Sequence, residues 1–161
     1  MTCKNTAVAL FAASFLAFLP GCASLPAPGA MQKEVENYQL PKLPEEGKAV
    51  VYIVRPDFAG KLVRFNVFVD DQGEASEMGY TKGKQYIYFN LEPGTHKIFS
   101  KAENWAEAEV TANAGEIIFI RQEPTFGVVM SRNKLQRIEE EYQGKYHVKT
   151  LGLGTIIKMD K

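Results

Sequence analysis

A chain of 161 residues is long enough for one domain with a single apolar core. Its 45% hydrophobic and 24% charged content is that of a globular chain, and 19 basic residues balance 19 acidic ones, which argues against a nucleic-acid partner. Cys3 and Cys22 are its only cysteines, which excludes a disulfide framework or a thiolate metal cage in everything that follows.

The chain opens with Lys4 and the terminal amine ahead of an apolar run of 13 residues, Ala7 to Leu19. That run is too short to cross about 30 Å of hydrocarbon at 1.5 Å per residue. It suits the core of an export signal instead. Leu19-Pro20-Gly21-Cys22 resembles the lipobox of bacterial lipoproteins, with Pro20 where a small or branched residue is usual. The resemblance implies a signal peptide over 1–21 and a lipidated Cys22 carrying a diacylglyceryl thioether and, often, an N-acyl chain. At about 0.8 kcal/mol per buried CH₂, two or three chains anchor a soluble domain stably. Ala23, where an aspartate retains many such proteins at the inner membrane, implies the periplasmic face of the outer membrane. The plain alternative is an ordinary secretory signal in which Cys22 has no role.

Residues 22–47 contain Pro26, Pro28, Pro41 and Pro44, which block both helix and ladder pairing, so this segment reads as a linker. Stretched out it reaches about 80–90 Å, and as a coil roughly 25–30 Å. Within it, Met31, Val35 and Tyr38 stand at helical spacing, so a docked two-turn helix competes with a solvated tether. From residue 48 to 161 the texture is that of a β domain. KAVVYIVR (48–55) is a strand-like run, and RFNVFVD (64–70) alternates Phe65, Val67 and Val69 with polar residues. KQYIYFNL (84–91) places Ile87, Phe89 and Leu91 on one face and Tyr86, Tyr88 and Asn90 on the other. Glu92-Pro93-Gly94-Thr95 is a turn, after which HKIFSKA (96–102), AEAEVTA (106–112), EIIFIRQ (116–122) and FGVVMS (126–131) read as further strands. Ile138, Tyr142 and Tyr146, four apart, predict a helix over 136–147, and LGLGTIIK ends the chain as an edge strand or a loose tail. Short strands separated by Gly and Pro turns predict a mostly β chain: an antiparallel β-sandwich, transthyretin- or immunoglobulin-like, with a short C-terminal helix.

AVVYIVRP (49–56), VFVDDQG (67–73), YFNLEPGTHKI (88–98) and AGEIIFIRQEP (114–124) follow one another in order. Together they resemble a domain-of-unknown-function family of bacterial envelope lipoproteins, with an A-x-V-Y-x-x-R-P strand, a P-G-x-H turn and an A-G-x-x-F-x-R strand. The resemblance implies a fold and a compartment; it implies no reaction.

Chemistry is sparse. His96 follows a tight turn, where a structural role is expected, and His147 is expected on a solvated helix face. Two separated histidines and no cysteine in the domain support neither a zinc site nor a Cys–His nucleophile. The serines lack a G-x-S-x-G elbow. Asp70, Asp71, Gly73 and Glu74 lack the alternating ligand pattern of a calcium loop. Arg55 and Arg121 each end an apolar strand, where pairing with acids is open to them, and both are read as structural. Trp105, with Tyr80, Tyr86 and Tyr88, is the candidate ligand-binding set, because exposed aromatics on a sheet stack on sugar rings; alternatively Trp105 covers an open end of the core. The resulting expectation is a lipid-anchored protein with a non-catalytic binding or structural role in the envelope, with no metal or cofactor. A carbohydrate- or peptidoglycan-binding module is the alternative, and a small hydrolase the third. Expected partners are the membrane, through the lipid on Cys22, and envelope proteins or glycans.

Overall fold

The computed structural model describes residues 25–125 and 132–161. Leu19, Pro20, Gly21 and Cys22, and the strand expected over 126–131, lie outside the described residues.

Two five-stranded sheets face each other. The first contains β1 (Ala49–Arg55), β4 (Gln85–Leu91), β7 (Ile117–Thr125), β8 (Arg132–Ile138) and β9 (Gly152–Leu153), in the order β8-β7-β1-β4-β9. The second contains β2 (Phe65–Val69), β3 (Glu77–Thr81), β5 (Gly94–Lys101), β6 (Trp105–Ala112) and β10 (Thr155–Ile156), in the order β10-β3-β2-β5-β6. Pairing is chiefly antiparallel, but β1 runs parallel to β7 and β4 parallel to β9. The chain switches sheets repeatedly. The Glu92-Pro93 turn therefore does not fold a hairpin back on itself; it carries the chain from β4 in one sheet to β5 in the other.

Between the sheets lies one apolar cluster, with Val51, Ile53, Phe89 and Ile118 from the first sheet facing Val67, Met78, Ile98 and Val110 from the second. Gln122 sits in this core and spans the sheets. Its amide oxygen accepts from the Thr81 hydroxyl of β3, and its Nε2 donates to Ser100 Oγ of β5 at 2.6 Å.

The first sheet is covered on its other face too. Val50, Tyr52, Val54, Tyr86 and Phe119 pack there under Leu40, Ile138 and Val148. Val148 belongs to helix α2 (Glu141–Thr150), and α2 in turn packs on helix α1 (Pro28–Val35), whose Met31 and Val35 are buried. Hence β1 is buried along its whole length, which is why VVYIV is a continuous apolar run rather than an alternating one. Gly144 makes the helix–sheet contact close: a Cβ there would lie 2.2 Å from the Phe119 ring.

One expectation is corrected here, and two that the sequence left open are resolved. The segment read as a tether is, from Pro28 on, laid against the body: Lys149 Nζ donates to the Glu34 carbonyl at 2.7 Å. Tyr52 Oη accepts from the Lys42 N–H and donates to its carbonyl, at 2.9 and 2.6 Å. The helix expected over 136–147 starts only at Glu141, because Asn133 and Leu135 alternate inward and pair with β7 as strand β8. Of the two readings open for the C-terminal residues the edge strand holds, as two short edge strands, one in each sheet. β9 extends the first sheet and β10 the second, so this segment closes one seam of the sandwich. Gly79 admits it, since any Cβ there would meet the Thr155 carbonyl at 2.2 Å.

Candidate functional site

The four candidate aromatics do not form one patch. Tyr86 and Tyr88 lie on the outer face of the first sheet, where Tyr86 is buried and both rings pack against Tyr52, with centroids 6.2 and 5.6 Å away. The strand periodicity that placed them opposite Ile87 and Phe89 holds, but the chain at residues 38–40 and α2 cover that face. Burial raises the Tyr52 and Tyr86 phenol pKa values, so neither hydroxyl is presented as an acid.

Trp105 and Tyr80 belong to the outer face of the second sheet. Tyr80 pairs with Asn66, Asn66 with Lys101, and Lys101 with Trp105, so these four side chains form one row across β3, β2, β5 and β6. At about 4.8 Å per strand the two aromatics at its ends stand about 14 Å apart. The Trp105 ring is 38% exposed and meets Phe68 and Phe99 edge-on at 5.3 and 6.5 Å. Cations flank both ends: Lys101 Nζ lies 5.3 Å from the Trp105 ring centroid and the Arg64 guanidinium 5.2 Å from that of Tyr80.

The two histidines separate in role. His96 Nε2 lies 2.9 Å from the Glu92 carbonyl and Nδ1 3.1 Å from the Asp70 carboxylate, so both ring nitrogens tie the turn to β2. Asp71 serves its own hairpin, accepting from Gly73 N–H and Ser76 Oγ; those two bonds hold its carboxyl below the usual range. Among the described residues no group of three or more potential metal-ligating His, Cys, Asp or Glu side chains converges.

His147 overturns its expectation of a solvated face. It is 1% exposed, its Nε2 has no partner, and burial together with the nearby Arg121 charge lowers its pKa to about 4. It helps line a cleft of about 420 Å³ with Asp57, Lys84 and Arg121, walled by Leu25 and Phe58. Arg121 pairs with an acid: its Nη2 reaches Asp57 at 2.9 and 3.2 Å. The Arg121 Nε is also buried without a partner. Two cations against one carboxylate, with a neutral imidazole, suit an anionic or polar group better than a cation.

Arg55 has the structural role expected of it, through carbonyls of the next loop. Among the described residues it pairs with no acid. Fully buried, it stacks on Phe65 with its guanidinium carbon 3.7 Å from the ring centroid. Nη1 donates to the Val63 carbonyl at 2.7 Å, and Nη2 to those of Ala59 and Gly60 at 3.1 and 3.0 Å. Burial pulls its pKa down to about 10. Arg55 thus fixes the β1–β2 loop, which displays Phe58 at 63% and Leu62 at 83% exposure. The signal in the sequence was Arg-Pro at the end of an apolar run: an arginine that cannot leave the core with its strand must take carbonyls from the loop that follows.

Comparison with known proteins places these features in a family. The model of a family described as "Protein of unknown function (DUF2846)" matches residues 45–134. An "Uncharacterized protein" of Haemophilus influenzae (strain ATCC 51907 / DSM 11121 / KW20 / Rd) is 28% identical over 136 residues, covering 84% of this chain and 77% of its own. No solved structure matches.

Proposed function

We propose, from the premise that the chain belongs to the DUF2846 family, that it is a lipid-anchored envelope lipoprotein with a non-catalytic binding or structural role. What carries the reading is Leu19-Pro20-Gly21-Cys22 behind the apolar run. In this reading an acylated Cys22 attaches the domain at the periplasmic face of the outer membrane; among the described residues no helix is long and apolar enough to cross a membrane. A binding role is supported by the cleft of about 420 Å³ where Arg121, Lys84 and His147 meet. Cys22→Ser tests the anchor. The variant should migrate as the uncleaved precursor and take up no labelled fatty acid; unchanged mobility and labelling would remove the reading.

The uncovered row from Tyr80 to Trp105 favours a second reading, an oligosaccharide- or peptidoglycan-binding module. Its two ends offer stacking faces and Asn66 and Lys101 offer donors between them. Trp105 is the only tryptophan, so its emission should move on titration with envelope glycans. A flat titration sinks this second reading and leaves the first untouched.

A further inference from the structure

Eight large apolar side chains stand exposed among the described residues, and four of them, Leu25, Phe58, Leu62 and Val63, belong to the start of the described chain and the β1–β2 loop. Leu25 and Phe58 share a wall of the cleft. The Lys82–Lys84 turn abuts this loop, with Gly83 N–H donating to the Lys61 carbonyl at 3.1 Å and Lys84 N–H to that of Arg55 at 2.9 Å. Over 55–65 and 80–86 there are four exposed cations, Lys61, Arg64, Lys82 and Lys84, and one acid, Asp57, which Arg121 already pairs with. Lys61 Nζ lies 4.9 Å from the Phe58 ring centroid. Exposed apolar tips in a segment with an excess of cations are the composition that settles into an anionic lipid interface.

The position of the chain start selects the occupant. Leu25 lies three residues beyond Cys22, a span of at most about 10 Å. The segment from Pro28 to Lys42 adds no slack, because it is bonded to the body. We propose that the β1–β2 loop and the Lys82–Lys84 turn form a bilayer-contact surface that seats Phe58 and Leu62 among anionic lipid headgroups. This rests on the acylation of Cys22 proposed above. Arg55 preorganises the loop, so its apolar tips are presented without further ordering.

The test uses the full chain, exported, acylated and reconstituted into phosphatidylethanolamine–phosphatidylglycerol vesicles. Acylation consumes the Cys22 thiol and cleavage removes Cys3, so Leu62→Cys supplies a single thiol for an environment-sensitive fluorophore. Ala114→Cys, in the exposed turn at the opposite end of β7, serves as control. β1 spans about 20 Å between these ends. The Leu62 probe should be blue-shifted and quenched several-fold more than the Ala114 probe by bromine-labelled lipids, and raising the salt should narrow the difference. Equal quenching at both positions on acylated protein overturns the surface while leaving the anchor intact. A preparation whose Cys22 still reacts with thiol reagents overturns both, and its mass identifies the anchor as the part that failed.

Discussion

Every residue of β1 is buried, whereas β6 alternates covered and exposed positions from Trp105 onward. Both strands help enclose the same core, yet β1 carries a third layer on its back and β6 does not. The difference teaches where sequence change is costly. A substitution on the outer face of the first sheet disturbs a packed interface with α2 and the 28–47 segment, while the equivalent position on the second sheet meets solvent on one side.

The sharpest way to break that comparison is Phe119→Ala against Trp105→Ala. Phe119 is buried, stacked 5.5 Å from Tyr52 and pressed by α2 at Gly144. Its truncation should cost about 3–5 kcal/mol in urea unfolding. Similar small losses for both variants would show that α2 does not pack as described. Next comes pH. The folded pKa of His147 is about 4 against an ordinary 6.5, so between those values the unfolded chain takes up a proton that the folded one refuses. Stability is therefore full above about pH 6.5 and falls as the pH drops towards 4, by up to roughly 3 kcal/mol at 1.36 kcal/mol per pH unit. His147→Gln should flatten the unfolding free energy across that window, and an unchanged slope would place the titration elsewhere. Arg55→Lys keeps charge but cannot reach three carbonyls while stacked on Phe65; a loss of about 2–3 kcal/mol is expected, with faster proteolysis in 57–64. Trp105→Ala, the mildest, should cost about 1–2 kcal/mol, because its ring is covered mainly by Phe68 and Phe99.

The same contrast governs what could be read from the chain. The two faces of QYIYFNL follow from strand geometry and hold, whereas in FNVFV Phe68 is buried on the outer face too, so the strand is not half-buried. What covers those faces is set by residues far along the chain, so the tyrosines looked exposed and His147 looked solvated. β3 escaped notice because Glu77-Met78-Gly79-Tyr80-Thr81 has little strand character; its glycine is there for the approach of Thr155. The helical spacing of Ile138, Tyr142 and Tyr146 spans a strand end and a helix start, and i,i+4 periodicity alone cannot divide them. Of the binding candidates, Trp105 and Tyr80 were legible as surface aromatics. The cleft was not, because it assembles from the chain start, the β1–β2 loop, β7 and α2.

The C-terminal seam also imposes an order of assembly. Asn90 Nδ2 donates to Asp160 at 3.0 Å, and Lys161 N–H donates to the Asn90 carbonyl at 3.2 Å. These contacts bridge 70 residues, and β1 waits as long for β7. A chain emerging from its N-terminus can form the hairpins β2–β3 and β5–β6 early, but neither sheet is complete until the last ten residues arrive. Non-local closure of this kind is slow, so the polypeptide stays open while it is being made, the condition in which a chain can still be threaded through a narrow passage.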